Sequence, residues 1–483
     1  MSKVVTRALK LKLHPNPDVA GILDSQSRIC NWLYNHLLEK ANDLRATYRE
    51  TQDPMVVTVL YTKRGLRNQV PKVKLQHPFL KSVHSSPLKN TALRLTDSIQ
   101  AYQKSNKGKR LGKCSGWPSF RSWQRQWFSL LYDEPNKGFK IKGEQLGLSL
   151  GKNEEGKRHH VDILIQDAHL LQGQLVRNLR IVKQNKIFYA VFTIESALPE
   201  TKAVRNIIAL DPNHKNLSYG VNNHGIALEI ESPWWLKKMD KRIDELRGRR
   251  DRCKRKARQM QVLDAQGRPT DKTYWCSSKR YQKFSQVLER IYAKRQEQTK
   301  SYCYTIANKL VREHDLVVIG DYVPNGGGIT PKMRRAMNNR SLIGRFKDTL
   351  SWVALKSGKT YDEFNEKGTT RTCHLCQHVV VEGIAPNIRQ WTCMNCHTSH
   401  LRDENAAING MYKFLREFEL KSGGHPLPVP SSGLVVKQRW AWRVKPSGIV
   451  TILRGQDCAT STSAKKLNRT RGSVLSEFAL DQV

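Results

Sequence analysis

Acidic residues are scarce in this chain of 483 residues. Asp and Glu number 42 against 83 Lys and Arg, a formal charge of +41. No compact fold needs that excess, which costs self-repulsion, so a polyanionic partner is expected. Long apolar stretches are absent as well: no run reaches the ~18 residues of a membrane-spanning helix. The basic residues spread over the whole length, which suits a long nucleic acid touching every domain rather than a membrane surface. Paired cysteine spacing is missing outside one segment. Cys30, Cys114, Cys253, Cys276, Cys303 and Cys458 stand alone. A disulfide framework is therefore not expected, and a reducing, intracellular compartment is the natural reading. Met1–Lys12 is basic and alternating, unlike a secretory leader.

The length predicts two to four domains. Val4–His14 alternates like a strand and ends at Pro15-Asn16-Pro17. Val19–Tyr48 has helical spacing, with more helix around Pro87–Gln103. Next comes Gly116-Trp117-Pro118-Ser119-Phe120-Arg121, with Trp123, Arg125 and Trp127 just beyond. Aromatics interleaved with arginines read either as a base-stacking platform or as the half-buried start of a strand. Residues 127–196 are β-rich, with strands at Phe139–Ile141, Leu146–Leu150, His160–Ile165, Leu179–Lys183 and Phe188–Ile194. Together with the first strand they would close a small barrel.

Ile207–Asp211 is a buried-type strand ending in an acid, and Asn222–Gly225 supplies a hairpin turn after Leu217–Val221. Trp235–Gln261 reads as a strongly basic helix, broken at Leu263–Thr270 and followed by helix over Tyr281–Val311. Few acids balance Arg247–Arg258, and like charges four apart repel unless phosphates neutralise them. Leu316–Ile319 is a second buried strand, running into Gly320-Asp321 and then a Gly-rich loop, Pro324–Gly328. A helix over Ser341–Leu355 and a third strand over Thr360–Glu366 follow. After Gly423 a tail rich in Pro, Gly, Ser and Thr is expected to be flexible from about Thr460.

The segment Thr372–Ala407 is the most informative. It holds Cys373-x-x-Cys376 and, sixteen residues on, Cys393-x-x-Cys396. Two such knuckles aim four sulfurs at one point and fill a tetrahedral site, so the metal is expected to be structural zinc. His374, His378, His397 and His400 lie close enough to serve as substitutes. Asp403 follows at the start of the next helix, which makes it an acid delivered by a metal-stapled loop.

These stretches resemble the TnpB family, its Fanzor relatives and the type V CRISPR nucleases. The matching segments are Asn31-Trp32-Leu33-Tyr34-Asn35, the Gly116–Arg121 box, Ile208-Ala209-Leu210-Asp211-Pro212-Asn213, Thr369-Thr370-Arg371-Thr372-Cys373 with its partner knuckle, and Arg402-Asp403-x-Asn405-Ala406-Ala407. They run in order from residue 4 to about 415. The resemblance implies a multidomain α+β chain. A wedge-like β-barrel (1–15 and 127–204) would carry an inserted helical recognition domain (16–126). An RNase H-like RuvC α/β domain (205–371 and 400–422) would carry an inserted zinc ribbon (372–399), leaving 423–483 as a partly disordered tail. It also implies an RNA-guided DNA endonuclease, acting as a monomer with an omega-type guide RNA on double-stranded DNA, in the nucleus or the bacterial cytoplasm according to host.

One position departs from the commoner pattern. Most of the family ends the second buried strand in a catalytic Glu, where this chain has Gly320. Asp321 would point to the opposite face. Asp362 and Glu363 lie on the next strand, and Glu366 sits at its end. The Fanzor branch and its closest TnpB relatives carry a relocated Glu just before the zinc ribbon. The resemblance therefore gives Asp211, Glu366 and Asp403 as ligands of two Mg²⁺ ions, with Asp211 bridging. Arg402 reads as a phosphate contact or as plain helix surface. Two alternatives stand beside this: an RNA-guided DNA binder that no longer cuts, and a transposon-associated zinc-ribbon DNA-binding protein without RNA.

Overall fold

A computed structural model describes residues 4–454, apart from 111–113, 123–126, 153–154, 201–202, 214–215, 264–267, 323–340, 386, 422–426 and 428–432. Two compact units form. The first comprises Met1–Thr201, Lys238–Glu297 and Leu355–Gly358; the second comprises Lys202–Lys237, Gln298–Ala354 and Lys359–Val483.

In the first unit β1 (Val4–His14) sits at the centre of an antiparallel sheet. Around it lie β2 (Ser129–Tyr132), β3 (Phe139–Lys142), β4 (Gln145–Lys152), β5 (Arg158–Ile165), β6 (Leu175–Gln184) and β7 (Ile187–Ala197). The order is β2-β6-β7-β1-β5-β4-β3. Among the described residues, no ladder joins the end strands β2 and β3. Helix α1 (Pro17–Thr51) starts where Asn16 accepts from the Val19 amide and Pro17 fills the first turn. It ends at Gln52 in the left-handed region, φ 54°.

Two helices were not anticipated, α2 (Pro54–Tyr61) and α3 (Gly65–Gln76), which precede α4 (Ser85–Asn106). The first has eight residues rich in valine and threonine, and the second contains Pro71. Neither favours helix locally, and buried Leu60, Leu66 and Val73 hold both in the core. Two tryptophans of this stretch, Trp117 and Trp127, turn inward, whereas Phe120 is 55 % exposed. Trp117 Nε1 donates to Asn42 at 2.8 Å under the Arg45 guanidinium, and Arg121 lies 3.5 Å over both Tyr34 and Trp127. Trp117 and Trp127 thus have a structural role; Trp123 and Arg125 fall outside the described residues.

Helix α5 (Leu236–Lys254) stops short of the expected Gln261. Arg258–Leu263 is instead β11, paired with β12 (Pro269–Cys276) in a two-stranded ribbon before α6 (Lys279–Glu313). Alternating Met260 and Val262, opposite a Thr-Tyr-Trp run, suit a strand better than the continuation of a basic helix.

The second unit is built on β8 (Ile207–Pro212), β9 (Ser218–Asn222), β10 (Ile226–Ile230), β13 (Leu316–Gly320) and β14 (Thr360–Phe364). Strands β8, β9 and β10 pair antiparallel, while β13 runs parallel to β8 and to β14. Helix α7 (Ile343–Lys356) and a ribbon of β15 (Gln390–Thr392) and β16 (Ser399–Leu401) lead to α8 (Arg402–Lys421). The segment expected to be a tail carries β17 (Gln438–Lys445) and β18 (Gly448–Arg454). They extend the sheet as β14-β13-β8-β9-β10-β17-β18 because β17 lies parallel to β10. Ala441 and Trp442 of β17 are buried there, and Trp440 packs partly buried against the same core.

Alternation decides the faces of this sheet. Ile208, Leu210, Val317 and Ile319 pack in one core with Ile306 of α6 and Phe346 of α7. Ile207, Ala209, Leu316, Val318 and Phe364 pack in the other with Ala407, Ile408 and Met411 of α8. Period-2 parity then assigns Asp211, Gly320 and Phe364 to the α8 face.

Candidate functional site: three carboxylates and a cysteine quartet

Asp211 occupies the penultimate position of β8, 8 % exposed. Burial holds its carboxyl well above the usual range; the charges of Glu366 and Asp403 add to this, while Arg402 and Arg389 oppose it. The three sequence-predicted acids therefore act on one another. They do not close into a tight cluster: among the described residues, the one group of three or more potential ligands with all donor atoms within 4.8 Å is the cysteine quartet. Asp211 is buried and Glu366 and Asp403 are half-buried, so bringing the three carboxylates closer would call for cations or protons between them.

Glu366 lies two residues beyond β14, not at its end as expected. Gly320 is paired with Phe364 across the β13–β14 ladder. A Cβ at position 320 would stand 1.9 Å from Glu366 Oε1 and 2.6 Å from its Cγ and Cδ. The glutamate thus fills the space that a side chain on β13 would use. Burial raises its pKa to about 7, with the Asp321 charge adding and Lys347 and the Tyr322 backbone opposing. Its Oε1 is buried without a hydrogen-bond partner.

Asp321 does not simply point away. Its Oδ1 accepts from the Glu366 amide at 3.1 Å, and its own amide donates to the Phe364 carbonyl. It caps the turn that carries Glu366. Glu363, weighed as a substitute, faces Lys347 of α7 at 2.5 Å on the opposite side of the sheet.

Asp403 opens α8. Gly410 lets the helix lie against the sheet, because a Cβ there would stand 2.2 Å from the Phe364 ring. Asp403 receives Asn213 Nδ2 at 2.7 Å and Arg389 Nη1 at 2.9 Å. The sequence by itself gives Asn213 no role and does not point to Arg389, because a loop arginine carries no spacing signal.

The cysteines meet as expected. Sγ atoms of Cys373 and Cys396, and of Cys376 and Cys393, are 3.6 Å apart. Sulfurs on a tetrahedron about zinc stand about 3.8 Å apart. Each knuckle turns through a left-handed residue, Gln377 at φ 60° and His397 at φ 56°. The four thiols fit zinc by donor type, number and spacing. Of the four histidines, His400 comes nearest, its Nε2 3.1 Å from Cys373 Sγ.

A polar network links the quartet to the acids. His374 donates its amide to Asn405 Oδ1 at 3.0 Å. Asn405 Nδ2 donates to the carbonyls of Thr369 and Thr372, as does Asn409 Nδ2. Thr369 in turn donates its amide and hydroxyl to the Glu366 carbonyl. Glu366 and Asp403 are therefore tied to one buried scaffold.

Residues 344–410 match the family described as Cas12f1-like, TNB domain. Among solved structures, the chain is similar to that of a Cas12f1–sgRNA–target DNA complex, with a TM-score of 0.50 and 11 % identity over 84 % of this chain and 98 % of that one. It also matches CasPhi-2 (Cas12j) bound to crRNA and phosphorothioate-DNA, with a TM-score of 0.38 and 11 % identity over 88 % of this chain and 93 % of that one. No curated protein sequence matches. The architecture is thus a mixed α/β fold of the Cas12f1 kind, with a cysteine cluster able to take zinc. Among the described residues, no helix is long and apolar enough to cross a membrane.

Proposed function

We propose that this protein is an RNA-guided DNA endonuclease of the transposon-associated TnpB/Fanzor type. It would cut guide-complementary double-stranded DNA beside a short flanking motif, acting as a monomer with an omega-type RNA. The observation that carries the reading is Glu366 seated in the space of Gly320, on the sheet face shared with Asp211 and Asp403. The hairpin β8–β9 and the parallel neighbours β13 and β14 support an RNase H-like, RuvC-type sheet in this role. On this assignment 1–15 and 127–204 act as the wedge and 16–126 as the recognition domain.

An all-oxygen set with an orphaned buried Oε1 suits hard divalent cations. Asp211, Glu366 and Asp403 would hold two Mg²⁺ ions, which supply an activated water and charge stabilisation for the leaving oxygen. Asp211, buried at the strand end, would be the most rigidly placed ligand. Asn213 orients the Asp403 carboxylate, and Arg389 neutralises it in the metal-free protein. The zinc ribbon fixes Glu366 and Asp403 through Thr369 and Asn405.

The test is cleavage of matched DNA by the chain purified with co-expressed RNA, with Mg²⁺ and a library of flanking motifs. Cleavage surviving Glu366→Ala refutes the site, and no cleavage by the wild type counts against the activity. A second reading, target binding without cutting, draws on Arg389 occupying Asp403. Tight guided binding with no product, unchanged by Asp211→Ala, would favour it.

A further inference from the structure

The β11–β12 ribbon takes no part in the site above. Three of its large side chains are exposed: Trp275 by 68 %, Met260 by 46 % and Tyr274 by 36 %. Gln259 stands opposite Trp275 and Gln261 opposite Thr273, while Met260 pairs with Tyr274. Strand alternation places Gln259, Gln261, Thr273 and Trp275 on one face. Gln259 Nε2 donates to Thr273 Oγ1 at 2.8 Å, which sets the amide beside the indole. A lone two-stranded ribbon is marginal in water, and a bare indole on it calls for a partner.

The ribbon's neck says which partner. On α5, Lys238 and Arg242 repel at four-residue spacing, as do Arg250 and Lys254, although Asp251 partly offsets Arg250. Arg249, Arg252, Lys254 and Arg255 make no ion pair among the described residues. Lys279, Arg280 and Lys283 open α6 on the other side. The repulsion lasts as long as the helix does, so it selects a resident polyanion rather than a visiting one. Aromatic faces stack on bases, and a base must be unpaired to present its face and its edge together.

We infer that the β11–β12 ribbon docks unpaired bases of the bound RNA. A base stacks on Trp275, Gln259 and Gln261 meet its edge, and the flanking basic side chains take the phosphates. The inference rests on the RNA partner proposed above and gives that partner a surface.

The full chain is irradiated with an oligouridine carrying bromouridine and digested with trypsin. The expected adduct lies on the peptide Thr273–Lys279. It falls about tenfold in Trp275→Ala, within the range that one base stack is worth, and survives in Trp275→Phe. The same RNA annealed to its complement should lose the adduct. Adducts on other peptides alone, an equal adduct with bromodeoxyuridine DNA, or unchanged crosslinking by Trp275→Ala overturns the inference. So does loss of a dimer in sedimentation by Trp275→Ala with the RNA adduct intact, since the ribbon would then serve a second copy. A wild-type chain that forms no RNA adduct anywhere instead removes the RNA partner on which the inference stands.

Discussion

Glu366 and Gly320 share one volume: the carboxylate of the first lies where the side chain of the second would begin, 1.9 Å from a Cβ at that position. The absence of a side chain on β13 is therefore a steric requirement of the acid that reaches over it. Gly320→Ala should displace Glu366 and cost stability by about 1–3 kcal/mol, as overpacking does. Guided cleavage should fall together with it. Denaturant midpoints and single-turnover cleavage check both, and a silent Gly320→Ala would show that Glu366 is free to sit elsewhere.

The raised pKa of Glu366 has a sign in stability. A carboxyl lifted from 4.5 to about 7 binds its proton more tightly in the folded state. The metal-free protein should therefore be most stable below the lower value and lose stability as pH rises through the upper one. Asp211 shifts in the same direction and adds to the slope. Melting temperatures in chelator across that window should fall, and Glu366→Gln should flatten the curve. Mg²⁺ should stabilise the protein most above the window, where the carboxylates are ionised.

If Asp403 takes metal as proposed, its ion pair with Arg389 competes with that metal. Its side chain is 42 % exposed, so the ion pair adds little to stability, about 0–1 kcal/mol. Arg389→Gln should leave melting nearly unchanged and tighten Mg²⁺ binding in titration calorimetry. Weaker Mg²⁺ binding in the variant would place Arg389 among the groups that help assemble the site.

Asn405 is 1 % exposed and unites His374, Thr369 and Thr372. Asn405→Ala leaves the buried His374 amide unpaired, at a cost of about 1–3 kcal/mol. Asn409 still serves the two carbonyls. Cleavage should slow while RNA and DNA affinities stay put, because the residue only positions Glu366 and Asp403.

Zinc removal tests the same scaffold from the other side. Metal analysis should find one zinc per quartet, lost in Cys393→Ser. Cleavage should drop in that variant although every carboxylate remains. Full activity without zinc would detach the ribbon from the site.

The sequence was readable where local chemistry determines structure. Four cysteines in two knuckles imply their meeting point, and Ile207–Asp211 is too uniformly apolar to be anything but a buried strand with an acid at its end. Glu366 is proposed through the resemblance, and its reach over Gly320 is visible only once the chain is folded. Asp321 was misjudged because strand alternation ceases where β13 ends and the chain turns. The ribbon β11–β12 was hidden by the run of basic residues leading into it, whose charge says nothing of period. Strands β17 and β18 depend on a partner far away in sequence, and no local pattern announces that partner.

That distance governs how the chain can be made. Glu231, just past β10, is bound by Arg443 of β17, 212 residues later. During synthesis β10 has only β9 beside it until Gln438–Trp442 emerges, so one edge of the central sheet stays open over the whole of that interval. Parallel pairing over so long a loop is slow to form. Premature stops before β17 should leave chains that stick to one another or to chaperones, whereas stops after β18 should spare the sheet.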